Sequence, residues 1–407
     1  MLTMEQAQDT VMEFVSPLPA KRMPLLRALG CVLAGPVVAG IPLPLFDNSA
    51  MDGFAVIADD TLAATTEAPR RLEVTEDVPA GAPPERAMRP GTAARIMTGA
   101  PIPIGADAVV IVENTRPGPS GTVEILRPAK AGDNIRPAGE DIAAGAVALS
   151  PGQILGPGEL GLLSALGKSE VNAIRRPRVA IVTTGAELVE PGEELRPGAI
   201  YNSNRVALEA SVLRAGGEMA QCMHASDDEA MLEEALRSCR EADLLLTTGG
   251  VSVGEYDFVK RVLARLGDIK FWRVLMKPGK PVAFGTALGR PLFGLPGNPI
   301  STLVTFELLV APALRRMSGR RECLPLTVQA TLLSDVRRRP GRREYRQAIT
   351  RYCDNGYVVQ PSEKRGSAML TSTVGANSLL VIPEESEGMR AGDRVSVIVL
   401  GHGGDEL

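Results

Sequence analysis

A glycine-rich stretch with two carboxylates, Thr247–Asp257, is the part of the sequence best suited to chemistry. The apolar run 243–246 predicts a buried strand before it, and residues 258–263 predict a helix after it. Backbone N–H groups in such a turn can surround an anion, and a helix start favours negative charge. Glu255 and Asp257 would repel a phosphate unless a hard cation such as Mg²⁺ accompanied it. An ordinary turn with surface acids fits the same stretch, and the loop by itself leaves both interpretations open.

Two further turns carry groups that could bind an anion. Lys277 and Lys280 lie in the stretch 277–281, where prolines stiffen the backbone. As point charges they could hold phosphate or an oxyanion, and two solvated lysines on a turn are the alternative. The sequence Pro-Gly-Asn-Pro at 296–299 precedes a long helical pattern. It indicates a helix start directed at an anion, or else a plain proline-rich helix entry.

These turns follow the strands of a predicted α/β domain. Its predicted elements alternate along the chain, with strands at 179–185, 219–223, 243–246, 269–275 and 291–295 and helices at 204–215, 227–239, 258–266 and 299–317. Such alternation predicts βαβ units and a mostly parallel sheet. In sheets of this kind, ligands bind outside the carboxyl ends of the strands. We therefore expect the turns at 185–187, 249–257 and 296–298 to converge on one crevice.

Residues on both sides of this domain predict β structure. Short strands broken by Gly and Pro fill about 54–140 and predict a small β domain, and strands over 324–400 predict a small barrel or sandwich. A capping-box pattern at 3–6 opens a predicted helix over 3–15. Residues 24–33 and 158–166 predict two more short helices.

Composition narrows the class of protein. A chain of 407 residues suffices for about two to four domains. The net charge of −4 gives no reason to expect nucleic acid or an anionic membrane as the main partner. The five cysteines form no CxxC pair and there are two histidines, so oxygen ligands, and Mg²⁺ as the first choice, are expected for any metal. No signal peptide and no apolar run of about 18 residues is visible, which predicts a cytoplasmic protein.

Acids at turns recur along the chain. Asp52, Asp141, Glu187 and Asp227 accompany the two acids of the glycine-rich loop. Most such acids cap a turn or a helix, or are solvated. The pair in the glycine-rich loop ranks highest because glycines bring the backbone close to any ligand there. His224 has no partner at metal-ligand spacing, which favours a surface or capping role.

Five motifs, in order, give the chain a resemblance to a known family. They are Asn48–Gly53, Arg95–Pro101, Gly249–Asp257, Lys277–Pro281 and Pro296–Pro299. With them the chain resembles the MoeA family of molybdopterin molybdenumtransferases, which includes the gephyrin E domain, over nearly its whole length. Each motif is weak alone, and the ordered set is specific.

The resemblance implies a reaction and an architecture. Adenylylated molybdopterin and molybdate, with Mg²⁺, would give molybdenum cofactor and AMP. Each subunit would have an elongated N-terminal linker domain (1–46 and 142–176), an inserted small β domain (47–141), a three-layer α/β molybdopterin-binding-like domain (177–322) and a C-terminal β domain (323–407). Subunits would form a homodimer, with each site between the α/β domain of one subunit and smaller domains of the other. The molybdopterin adenylyltransferase would be a candidate protein partner.

The resemblance and the turn chemistry together give the candidate site residues. The implied catalytic acids are Asp52, Asp141, Glu187, Asp227 and Asp257. The implied substrate-binding residues are Thr98, Gly249, Gly250, Ser252, Lys277, Lys280, Pro296, Gly297, Asn298, Pro299 and Ser367. The expected Mg²⁺ ligands are Glu187, Glu255 and Asp257.

Some assignments leave alternatives open. Asp228 competes with Asp227, and Ser367 lies in a divergent β region. Ala186 stands where many family members carry an acid or amide before the matched glutamate, which weakens a metal site built from two side chains of that turn. A related α/β family that adenylylates molybdopterin usually reads Thr-Gly-Gly-Thr-Gly at the loop, whereas this chain reads Thr-Gly-Gly-Val-Ser. A gephyrin-like scaffold is the alternative from another class, and molybdate and tungstate are not separated.

Overall fold

The protein opens with an amphipathic helix, α1 (Met4–Phe14), in a computed structural model that describes residues 1–226, 228–249, 256–354, 356–364 and 366–400. Residues 256–258 and 260 are described as helix backbone alone. The Thr3 hydroxyl accepts a hydrogen bond from the Gln6 N–H at 3.2 Å, and the Gln6 side chain accepts from the Thr3 N–H at 3.0 Å. This capping box begins α1 where the sequence predicted it.

The segment after α1 departs from the predicted helix over 24–33. It holds strand β1, a 3₁₀ turn and two short strands, namely β1 (Ala20–Pro24), Leu25–Ala28, β2 (Val32–Leu33) and β3 (Val37–Val38). The predicted helix is wrong because β1 and β2 both pair with a strand formed by Glu170–Ile174, far along the chain. Local helix propensity is weak enough for such pairing to override it.

The next region is the expected small β unit. Its strands are β4 (Asn48–Ser49), β5 (Gly53–Val56), β6 (Arg70–Val78), β7 (Thr92–Ile96), β8 (Ala108–Ile111), β9 (Thr115–Pro117), β10 (Thr122–Ile125) and β11 (Ile135–Arg136). Six of them form one sheet in the order β8-β5-β7-β6-β10-β9. Buried aliphatic side chains such as Val56, Val110 and Ile125 form its core.

The chain then returns to its N-terminal part. It adds β12 (Val147–Leu149), α2 (Pro157–Ala165) and β13 (Glu170–Ile174). The sheet order β1-β13-β2 and the pairing of β12 with β3 join residues before and after the inserted β unit. The domain boundaries given above stay a prediction.

The α/β part supplies the turns of chemical interest. Its elements are β14 (Arg178–Thr184), β15 (Leu188–Val189), β16 (Ile200–Tyr201), α3 (Ser203–Arg214), β17 (Glu218–Ala225), α4 (Glu229–Ser238), β18 (Leu244–Thr248), α5 (Tyr256–Leu266), β19 (Ile269–Arg273), β20 (Met276–Lys277), β21 (Pro281–Ala287), β22 (Arg290–Leu295), α6 (Pro299–Thr305), a π-helical turn (Phe306–Val310) and α7 (Ala311–Met317). The sheet order is β17-β14-β18-β22-β21-β19. Its first four strands run parallel, and β21 pairs antiparallel with both β22 and β19.

Helices cover both faces of this sheet. On one face Ile181, Leu246 and Phe293 pack in a buried cluster with residues of α1, α3 and the α6–α7 segment. On the other face Leu245 and Leu292 pack with residues of α4 and α5. The α/β class with a mostly parallel sheet, predicted from alternating strands and helices, is therefore confirmed, as is the three-layer arrangement that the resemblance implied.

The C-terminal part is a closed barrel. Its strands are β23 (Thr327–Leu332), β24 (Val336–Arg337), β25 (Arg343–Cys353), β26 (Gly356–Pro361), β27 (Ser378–Ile382), β28 (Gly388–Met389) and β29 (Arg394–Val399). The ring β25-β26-β23-β29-β27 closes because β27 also pairs with β25. Strand β20 of the α/β part joins the same sheet by pairing in parallel with β25. In the part of the chain that the structure describes, no helix has both the length and the apolarity to cross a membrane.

Candidate active site

Three strand ends meet at one edge of the central sheet. Neighbouring strands β14, β18 and β22 run parallel, with Thr183 opposite Thr248 and Thr248 opposite Leu295. The turns that begin at Gly185, Gly249 and Pro296 therefore leave the sheet side by side, as expected from the alternating pattern. They line the strand-end cavity, about 480 Å³ in volume.

Hydrogen bonds fix the 296–299 turn against this edge. The Thr248 hydroxyl donates to the Pro296 carbonyl at 3.0 Å. The Asn204 amide, at the start of α3, donates to the Gly297 carbonyl at 2.6 Å and to the Thr248 hydroxyl at 3.3 Å. The turn is therefore held by β18 and α3, and Asn204 is a site residue that the sequence reasoning missed.

Gly249 is required by its surroundings. Its φ is +95°, in the left-handed region. A Cβ added there would lie 2.3 Å from the Thr184 carbonyl oxygen. Such an approach allows the backbone of β14 and the glycine turn to pack together at the cavity wall.

Glu187 is the described carboxylate of the strand-end cavity. It lines the cavity with the hydroxyl-bearing Thr184 and Thr248. Among the described residues, its carboxylate has no hydrogen-bond or ion-pair partner. A free carboxylate beside hydroxyl oxygens is a donor set of the kind that a hard cation takes. Within the described ranges, no three Asp, Glu, His or Cys side chains lie close enough together to hold a metal ion.

The structure does not describe several of the predicted site residues. Asp227, Gly250, Ser252 and Glu255 lie outside the described residues, and only the helix backbone is described at Asp257. The competing Asp228 caps α4, because its carboxylate accepts a hydrogen bond from the Met231 N–H at 3.0 Å. This structural role accounts for Asp228 without a ligand.

A second cavity, which we call the basic cavity, lies between the lysine turn and the barrel. Its volume is about 630 Å³, and it shares the lining residues Pro281 and Ser301 with the strand-end cavity. Eight cationic side chains of the described residues line it: Lys277, Lys280, Arg337, Arg338, Arg339, Arg342, Arg346 and Lys364. Glu344 is the one carboxylate among its described lining residues, and Ser367 also lines it. The excess of positive charge makes this cavity suited to an anion.

Glu344 orders two of the cations in this cavity. One carboxylate oxygen accepts from the Arg346 guanidinium at 2.6 and 3.0 Å, and the other lies 3.2 Å from the Lys277 ammonium. Burial acts to raise the pKa of Glu344, but hydrogen bonds and charge from Arg346 and Lys277 outweigh it and hold the pKa below its usual value. The Lys280 ammonium has no such partner among the described residues, so it is available to a ligand.

The acids of the inserted β unit, Asp52 and Asp141, do not line the basic cavity or the strand-end cavity. The Asp52 carboxylate accepts from the Thr98 N–H at 2.7 Å and from the Thr98 hydroxyl at 2.8 Å. These bonds lower the pKa of Asp52. Asp52 lines a third cavity with Arg95, and Asp141 is exposed at a turn. Of the described residues 47–141, none lines the basic or the strand-end cavity, so one chain does not bring all predicted site residues together.

Comparison with known families covers the chain in three parts. A family model described as "MoeA N-terminal region (domain I and II)" matches residues 2–167. "Probable molybdopterin binding domain" matches residues 180–316, and "MoeA C-terminal region (domain IV)" matches residues 329–400. Together these matches extend over most of the sequence.

Full-length relatives give the same assignment. The chain is 42% identical to molybdopterin molybdenumtransferase 2 of Mycobacterium tuberculosis, over 98% of this chain and 99% of the relative. It is 36% identical to the molybdopterin molybdenumtransferase of Haemophilus influenzae, over 99% of both chains. A crystal structure of the molybdopterin biosynthesis MoeA protein from Pyrococcus horikoshii superimposes with a TM-score of 0.82 at 34% identity, covering 98% of this chain and 99% of that one.

Proposed function

We propose a reaction for this chain, which belongs to the MoeA family, the molybdopterin molybdenumtransferases of molybdenum cofactor biosynthesis. In it, molybdate is inserted into adenylylated molybdopterin, and AMP and molybdenum cofactor leave. The observation that carries the proposal is the basic cavity, which lies directly beside the strand-end cavity and shares two lining residues with it. An oxyanion in the first and an adenylate in the second would be neighbours.

The basic cavity supports the binding of molybdate. Molybdate is a small dianion, and lysine and arginine side chains bind oxyanions through charge-assisted hydrogen bonds. Lys280 offers an ammonium that has no partner among the described residues, and Lys277 and Arg346 are held in place by Glu344. Ser301 and Ser367 add hydroxyl groups to the lining. These residues would bind and orient the anion before transfer.

The strand-end cavity supports the binding of the adenylate. Backbone N–H groups at Gly249 and Gly297 can approach a phosphate closely because these glycines line the cavity and carry no side chain. Glu187, with the predicted ligands Glu255 and Asp257, would hold Mg²⁺. When bound, that ion would neutralise negative charge on the phosphate. The chain's own contribution is positioning, which carries most of the rate in phosphoryl chemistry.

We further propose a homodimer with shared sites. Asp52, Thr98 and Asp141 would reach the two cavities from the second subunit, which agrees with their separation from both cavities within one chain. The reaction would take place in the cytoplasm, with adenylylated molybdopterin supplied by a molybdopterin adenylyltransferase. That enzyme is a candidate for direct contact.

Incubation with adenylylated molybdopterin, Mg²⁺ and molybdate tests the reaction. We expect AMP release that depends on molybdate and Mg²⁺, together with molybdenum in the pterin product. A parallel reaction with tungstate gives the oxyanion preference. Absence of both AMP release and metal insertion would refute the proposal. Formation of an AMP adduct from ATP and free molybdopterin would instead support the adenylyltransferase alternative.

A further inference from the structure

Glu344 is an unusual presence in a cavity built to bind an anion. It is 7% exposed and lies among the eight described cationic side chains of this cavity. Strand pairing fixes its position, because Glu344 of β25 lies opposite Lys277 of β20 in the parallel ladder. Its two oxygens are divided between Arg346 and Lys277. A carboxylate placed in this way repels the very ligand that the cavity suits.

Arg346 depends on this carboxylate. Arg346 is 7% exposed, and among the described residues Glu344 is the hydrogen-bonding partner of its guanidinium. A buried guanidinium without a counter-ion is strongly destabilising, so it attracts any available anion. An oxyanion in the cavity could serve as the counter-ion of Arg346 in place of Glu344. Glu344 and a bound oxyanion therefore compete for the same two cations.

We propose that Glu344 is an internal counter-ion that keeps the affinity of the basic cavity for a divalent oxyanion moderate, so that the anion can leave toward the second substrate. The inference rests on the proposed function, because it assumes that the cavity binds molybdate. Its physical basis is that tight binding of the ground state raises the barrier to the next step unless the transition state gains equally. Glu344 thus acts by its negative charge, both on the anion and on the cations Arg346 and Lys277 that it occupies, and it is not a catalytic residue.

The substitution Glu344→Gln tests this inference, because it removes the charge and keeps the shape. One unit charge acting on a dianion about 6 Å away in a water-like medium changes affinity about tenfold. We therefore expect Glu344→Gln to bind molybdate about tenfold more tightly, and to bind sulfate more tightly as well, in equilibrium dialysis. In turnover, the KM for molybdate falls and kcat does not rise. A purely structural role for Glu344 would not give this combination.

Two further variants serve as controls. Glu384→Gln removes an acid of the same barrel that pairs with Arg343 at 3.1 Å and does not line the cavity, so its oxyanion affinity stays at the wild-type value. If Glu344→Gln folds poorly, Arg346→Met is compared with the double variant Glu344→Gln/Arg346→Met, which has no orphaned buried cation. We expect the double variant to bind molybdate about tenfold more tightly than Arg346→Met.

The outcomes separate the two proposals. If the wild-type protein binds neither molybdate nor sulfate, the proposed anion site fails. If the wild type binds molybdate but Glu344→Gln binds it equally or more weakly, the counter-ion inference fails and the proposed function stands. A higher kcat in Glu344→Gln, together with tighter binding, would also overturn the inference.

Discussion

Subunit complementation follows from the way the site residues are distributed. Asp52 and Lys280 line different cavities of the chain. If each site combines Asp52 of one subunit with Lys280 of the other, a heterodimer of Asp52→Ala and Lys280→Met has one site with both changes and one site with neither. Each parent homodimer has a defect in both sites. Mixing two weakly active variants should therefore restore activity.

The size of the recovery can be worked out. Random exchange of equal amounts of the two variants gives about one half heterodimers, each with one intact site of two, so activity returns to about one quarter of the wild type in a twofold-symmetric dimer. Asp52 is exposed and its substitution removes bonds to Thr98 alone, so folding should persist. The Lys280 variant stays weakly active at a molybdate concentration that saturates the wild type.

The assay is AMP release. The two variants, which carry different affinity tags, are denatured together and refolded, and activity is measured on the mixture and on the heterodimers isolated by both tags. A mixture of Asp52→Ala with Thr98→Val is the matched control, because both changes fall on the same side of the site and leave no intact site in any dimer. Activity of the Asp52–Lys280 mixture that equals the average of the two parents would refute the shared-site arrangement. Recovery in the control mixture would refute it equally.

Three other expectations concern the anion cavity, the glycine turn and the thiols. Lys280→Met should raise the KM for molybdate by roughly 10- to 100-fold, the equivalent of a charge-assisted hydrogen bond of about 1.5–3 kcal/mol, whereas Lys270→Met, which removes a lysine of β19 that pairs with Asp268, leaves it unchanged. Gly249→Ala should lower the free energy of unfolding by about 3 kcal/mol or more, because the new Cβ would clash with the Thr184 carbonyl oxygen. Gly289 has a φ of +76° but open space around it, so Gly289→Ala should lower the free energy of unfolding by about 1 kcal/mol. Thermal denaturation measures both variants. At pH 8 iodoacetamide should alkylate Cys353, which is exposed; burial raises the pKa of the other four thiols, which therefore remain protonated and are modified only after denaturation, as checked by mass spectrometry. Equal KM values, equal stabilities or native labelling at several cysteines would contradict the respective expectation.

Local patterns in the sequence were enough to find the sheet and its ligand-binding edge. An apolar run followed by glycine predicted the strand that is observed at Leu244–Thr248, and alternation with helices predicted its parallel neighbours. The lysine turn itself indicated phosphate or an oxyanion, and the family resemblance then implied molybdate. These signals are short in sequence, because each turn directly follows the strand that positions it.

Features that depend on distant residues were not predictable in the same way. Glu344 and Arg346 follow the lysine turn by more than sixty residues, and nothing in their local sequence indicates a pairing with Lys277. The helix predicted over 299–317 contains a π-helical turn at Phe306–Val310, where buried Glu307 pairs with Arg214 of α3. The short strands at 20–33 likewise exist through partners far along the chain.

Strand β20 makes the barrel and the α/β part mechanically inseparable. Met276 and Lys277 complete a sheet whose other strands come from the barrel, so the backbone beside Lys277 is anchored in both parts. A truncation after residue 322 would leave this two-residue strand as an unpaired edge and would remove the barrel's support from the lysine turn. The lysine turn therefore depends on the C-terminal barrel for part of its support. A chimaera that takes its barrel from a relative should take β20 and β25 together, so that their parallel pairing is kept.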